Sequence, residues 1–78
     1  MKPDAILDAG DSGCGELIML IANYMKTMAP GAALEVHAYD LAAEIDIAAW
    51  CRMTGQLLLE QEFNAKPKRF LIQKRLST

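Results

Sequence analysis

The octet Gly10-Asp11-Ser12-Gly13-Cys14-Gly15-Glu16-Leu17 concentrates the side chains of this sequence that could do chemistry. Ser12 within Gly-Asp-Ser-Gly offers a hydroxyl nucleophile, the three glycines suggest a phosphate-cradling loop, and Cys14 offers a thiol. The hydroxyl lacks its machinery. Acyl transfer by serine needs a base and an oxyanion hole, the single histidine is His37, and 78 residues cannot build a double barrel. The glycines lack theirs too. No Lys-Ser or Lys-Thr follows them and the spacing is not G-x-G-x-x-G, which leaves a tight strand-to-helix turn as their use.

Cys14 is placed differently. It stands where a glycine-rich loop meets an apolar run, at the cap or first turn of a helix. There the free N–H groups and the positive end of the helix dipole stabilise an anion. Thiols in such places have pKa values lowered from about 8.5 into the range of roughly 3.5 to 7.5. Gly13 and Gly15 leave the sulfur uncrowded, whereas Glu16 in the same turn disfavours the thiolate. The competing use of Cys14 is as a small apolar packing residue. Cys51 shares an apolar stripe with Ile47 and Trp50, so packing is its expected role. Two cysteines and one histidine at irregular separations make no metal site, and no cofactor is expected.

The surrounding elements follow from periodicity. Ile6 and Leu7 fall in a short strand. From Glu16 to Met28 the apolar residues Leu17, Leu20, Ile21, Tyr24 and Met28 keep helical spacing, and Pro30-Gly31 ends that helix. Met25 and Met28 suit core filling. Ala33 to Tyr39 alternates, with Leu34, Val36 and Ala38 facing inward and Glu35, His37 and Tyr39 outward. Asp40 is the expected N-cap of a second helix, whose buried stripe is Ile47, Trp50, Cys51 and Thr54 and whose C-terminal glycine is Gly55. Gln56 to Phe63 and Arg69 to Lys74 read as strands joined by a turn at 64–68. The last two strands are expected to pair as an antiparallel hairpin, with Phe70 and Ile72 on one face. The order β-α-β-α-β-β predicts an α+β, two-layer sandwich spanning residues 1–78 as one domain, a four-stranded mixed sheet with both helices on one face.

Composition bounds the function. A 53% hydrophobic and 23% charged chain is globular. Its longest apolar run, Leu17 to Ala22, is far short of the roughly 18 residues of a membrane span. The acidic opening residues do not resemble a signal peptide, so a reducing, cytoplasmic setting is expected. The net charge of −2 is uneven: all ten acids and only three cations precede Lys66, while Lys66, Lys68, Arg69, Lys74 and Arg75 follow with no acid. This basic segment could steer an acidic partner or a nucleic acid. The preferred alternative is a solvated C-terminal strand whose charges protect it from edge pairing. An acidic chain with few exposed aromatics argues against direct nucleic-acid binding.

Leu7-Asp8-Ala9, Cys14, Pro30-Gly31, Leu34-Glu35-Val36, Asp40, Asp46-Ile47, Trp50-Cys51, Gly55 and Arg69-Phe70-Leu71-Ile72 occur in this order across nearly the whole chain. With these residues at these intervals the sequence resembles the TusA/SirA-like sulfur-carrier proteins. The resemblance implies that Cys14 is the reactive cysteine of a persulfide shuttle, with Gly13, Gly15 and Glu16 around it. It implies a cysteine desulfurase or other persulfide donor, and a downstream sulfur-acceptor protein. It departs from the family in one respect: the usual Cys-Pro-x-Pro motif is Cys14-Gly15-Glu16-Leu17, with both prolines missing. Asp11 also replaces the family's glycine three residues before the cysteine. The second functional expectation is therefore a non-catalytic protein-binding or regulatory module of the same fold.

Overall fold

The computed structural model describes residues 2–76, apart from the side chain of Cys14. Six elements follow one another: β1 (Ala5–Asp8), α1 (Cys14–Lys26), β2 (Ala33–Ala38), α2 (Ala43–Thr54), β3 (Leu57–Glu62) and β4 (Lys68–Gln73). The sheet order is β1-β2-β4-β3. β1 and β2 are parallel, as a helical crossover through α1 requires, and β4 runs antiparallel to both β2 and β3. This is the expected α+β two-layer fold.

Alternation decides which face of the sheet is covered. Leu34, Val36 and Ala38 of β2 and Phe70 and Ile72 of β4 pack against Leu17, Ile21 and Met25 of α1 and Ala43, Ile47 and Cys51 of α2. The second helix buries Ile47 and Cys51 of the predicted stripe, with Trp50 packed at its edge; Thr54 is only half-buried, because its hydroxyl turns back to donate to the Trp50 carbonyl. On α1 the stripe is rotated from the expected one. Leu17, Ile21 and Met25 are buried, whereas Leu20 and Tyr24 remain 37% and 36% exposed. The unbroken apolar run Leu17 to Ala22 offers several meridians of similar hydrophobicity, and the sheet selects the one built on steps of four. Met25 fills the core as expected, and Met28 packs against its margin.

Two further expectations are corrected. Asp40 is not the N-cap of α2; that position is Ala42, which makes no side-chain cap. Asp40 instead accepts the Ala42 N–H on Oδ2 at 3.0 Å and the Ala43 N–H on its carbonyl at 3.2 Å. It forms an Asx turn ahead of the helix rather than the cap itself. The basic strand β4 is not an edge either, since it lies between β2 and β3. The edge there is β3, which carries Glu60 and Glu62 and a register shift between Leu58 and Glu60, features that discourage further pairing.

The charges of the basic segment are therefore used in another way. Lys68 pairs with Glu44 of α2 at 2.9 Å, and Arg69 pairs with Glu62 of β3. Lys74 donates to the Met28 carbonyl at 2.7 Å and Arg75 to the Thr54 carbonyl at 2.8 Å. The last two place cations where α1 and α2 end, the favourable sign at a helix C-terminus. Gly55 closes α2 with φ near 80° and its N–H on the Cys51 carbonyl, a left-handed conformation that glycine adopts without penalty.

Candidate functional site

The octet becomes a loop and a helix start. Ala9 is tied to β2 by its N–H on the His37 carbonyl at 2.9 Å. Gly10 turns the chain with φ of +56°, its N–H held by Asp8 Oδ1 at 2.9 Å. Ser12 closes the turn by donating its N–H to the Ala9 carbonyl at 3.1 Å. Ser12 thus serves the loop, and His37 lies on β2 bonded to Glu35 at 2.6 Å rather than to a hydroxyl. No serine machinery assembles among the described residues.

Gly13 is the N-cap of α1, extended at φ −90° and ψ −172°, with no side-chain cap. Cys14 is the first helical residue. The first intrahelical hydrogen bond runs from Leu17 N–H to the Gly13 carbonyl at 2.7 Å, so the amides of Cys14, Gly15 and Glu16 precede the helical ladder and face outward at the helix tip. A Cβ built on Gly13 or Gly15 would meet nothing within 4 Å. These glycines are therefore not demanded by crowding; they leave open space on both sides of Cys14. The thiol of Cys14 itself lies outside the described residues.

The fate of the missing prolines is visible here. Leu17 occupies the second proline position with its side chain wholly buried. Its N–H also makes that first helical bond, which a proline would remove. The loss of the proline ring is thus matched by a core contact and a hydrogen bond.

The electrostatics oppose each other. The α1 dipole and its free amides favour negative charge at the tip, while Glu16 lies exposed in the same turn and Asp8 and Asp11 flank the loop. Their influence registers on Tyr39 at the end of β2. Its hydroxyl lies 3.4 Å from Asp8 Oδ2, and burial, followed by Asp8 and then Asp11, holds the Tyr39 phenol above its ordinary pKa. Beside Tyr39 an apolar pocket of about 230 Å³ is walled by Leu41, Phe63 and Pro67.

Cys51 contrasts with this arrangement. It is 4% exposed within the core, and burial pushes its thiol up to about 11. The packing role expected from the α2 stripe is what the fold shows. Two features escaped the sequence reading. The Asp8–Tyr39 contact depends on the parallel β1–β2 register, which local patterns do not encode. Asp46, in the first turn of α2, has a buried Oδ2 without a hydrogen-bond partner among the described residues. Its place in the first turn, at the positive end of the α2 dipole, is favourable for such a carboxylate.

Comparison with known proteins agrees with this architecture. Residues 5–74 match the protein-family model described as sulfurtransferase TusA. A Bacillus subtilis (strain 168) protein, YrkI, provisionally named a sulfur carrier, is 39% identical over 74 residues, which cover 95% of this chain and 99% of that protein. The sulfur carrier protein TusA of Pseudomonas putida (strain F1) is 36% identical over 73 residues, covering 94% of this chain and 91% of the relative. The protein of that name from Pseudomonas paraeruginosa (strain PA7) is 38% identical over 72 residues, with 92% and 91% coverage.

Proposed function

This chain belongs to the TusA sulfurtransferase family, and from that premise we propose that it is a sulfur carrier with Cys14 as the sulfur-bearing nucleophile. The supporting observation is the position of Cys14 as first residue of α1, behind an uncapped glycine and beside open space. The alternative of a non-catalytic docking module is not favoured by relatives that carry the sulfur-carrier name.

The Cys14 thiolate attacks the outer sulfur of a donor persulfide, R–S–SH. A new S–S bond forms on Cys14 while the donor's S–S bond breaks. The donor leaves as the thiolate R–S⁻, and the proton stays with the transferred sulfur as Cys14–S–SH. The second step repeats the exchange: an acceptor thiolate takes the outer sulfur and Cys14 returns as a thiolate. No net oxidation occurs in either step, so neither needs a cofactor. The free amides of the α1 tip stabilise the anion that begins the first step and ends the second. Gly13 and Gly15 keep the approach clear, and Glu16 restrains the charge. A cysteine desulfurase suits the donor role and a second cysteine protein the acceptor role. The thiol chemistry suits a reducing, cytoplasmic setting, and no described helix is long and apolar enough to cross a membrane.

The test is a mass measurement. Incubation with a cysteine desulfurase and cysteine should add about 32 Da, one sulfur as a persulfide. Cys14→Ser should abolish the adduct and Cys51→Ala should retain it. An adduct that survives Cys14→Ser, or none on the unsubstituted protein, overturns the assignment.

A further inference from the structure

A second surface lies at the other end of α1. Between the C-terminal turns of α1 and α2 runs a groove of about 400 Å³ lined by Lys26, Trp50, Met53, Lys74 and Arg75 among others, none of them acidic. At about 1.5 Å rise per residue, the thirteen residues of α1 put Lys26 about 18 Å from Cys14.

Among the described residues no carboxylate pairs with the cations of this groove, unlike those of the neighbouring strand. Lys68 and Arg69 are each paired with a carboxylate. Lys74 and Arg75 are bonded to main-chain carbonyls, which orient them without cancelling their charge. Lys26 adds a third cation, exposed in the last turn of α1. The floor is apolar and open to contact: Trp50 is half-buried and Met53 is 84% exposed. Three cations around a Trp–Met floor, in a protein that is acidic overall, select an anionic occupant with an apolar side chain.

We propose that this groove is a docking site for an acidic segment of a partner protein, one that carries carboxylates on both sides of a single apolar side chain. The apolar side chain covers Trp50 and Met53 while the carboxylates meet Lys26, Lys74 and Arg75. The open, shallow form of the groove suits a chain segment better than an enclosed small molecule. A partner held here leaves the tip of α1 uncovered, so the same molecule can be tethered at one end and exchange sulfur at the other.

The experiment uses the whole isotopically labelled protein carrying Cys14→Ser, so that sulfur chemistry plays no part in the outcome. It is titrated with the blocked peptide Asp-Glu-Leu-Asp-Glu, with its central-serine version and with Lys-Lys-Leu-Lys-Lys. The acidic leucine peptide should shift the NMR signals of Lys26, Met53, Arg75 and the Trp50 indole N–H, more weakly as salt is raised. Exchange of leucine for serine should weaken binding about fivefold or more. Lys26→Glu, an exposed change that spares both carbonyl-bonded cations, should weaken it by a similar factor. Comparable binding of the basic peptide, shifts centred elsewhere or absent, or indifference to Lys26→Glu each overturns the proposal.

Discussion

On the role proposed for Cys14, an alkylating reagent at neutral pH should distinguish the two thiols of this protein. Cys51 is enclosed by the α1–α2 core, with a thiol pKa pushed up to about 11, so almost none of it is thiolate near pH 7. Brief iodoacetamide treatment of the folded protein should give a single adduct, mapped by peptide mass to Cys14, and a second only after denaturation. Removing the opposing charge in the first turn should quicken that reaction. Glu16→Gln is expected to raise the Cys14 alkylation rate at pH 7 about two- to fivefold, measured as a rate against pH. Burial of Cys51 also shapes alkaline stability. The unfolded chain releases this proton near pH 8.5, whereas the folded chain keeps it until about 11. Its contribution is therefore absent below about pH 8.5, and it disfavours the folded state as pH rises toward 11, by at most about 1.4 kcal/mol per pH unit. Urea midpoints should fall more steeply above about pH 9 for the unsubstituted protein than for Cys51→Ala.

Helix α1 carries the candidate site, and its first turn can be tested as an element. Gly15 has open space for a Cβ and does not adopt a positive φ. Gly15→Ala should therefore stabilise the protein by about 0.5–1 kcal/mol, read as a higher urea midpoint. The opposite is expected of Leu17→Pro, which removes both the first helical hydrogen bond and a buried side chain and should cost about 3 kcal/mol or more. These positions also show what local sequence carries. Glycines followed by an apolar run mark a helix start, and Cys14 stands there. The buried meridian of α1 was not legible, because Leu17 to Ala22 is apolar all round and only the sheet chooses among its faces. Residue type marks Asp40 as an N-cap, but the same side chain can cap at its own position or, as here, turn the chain two residues ahead. That choice rests on backbone angles of the β2–α2 link, which residue type does not encode.

At the scale of the whole molecule, strand order was the hidden quantity. Periodicity supplies the β-α-β-α-β-β succession, but whether the last strand lies inside or at the rim depends on pairing between residues more than thirty positions apart, such as Val36 with Phe70. The destination of the basic residues follows from that pairing, as their partners Glu44, Met28 and Thr54 come from elsewhere in the chain. Phe70 is the largest of the fully buried side chains. Phe70→Ala should remove about 3–5 kcal/mol from a stability of roughly 5–10 kcal/mol for a small domain, seen as a large drop in the thermal midpoint by circular dichroism. The interior position of β4 has a consequence for biosynthesis. A ribosome delivers the strands one after another, and the keystone comes last: until Gln73 has emerged, β2 and β3 have no neighbour to join them. Nascent chains arrested after Ala65 should stay open to protease, and release past Gln73 should close the structure in one cooperative event.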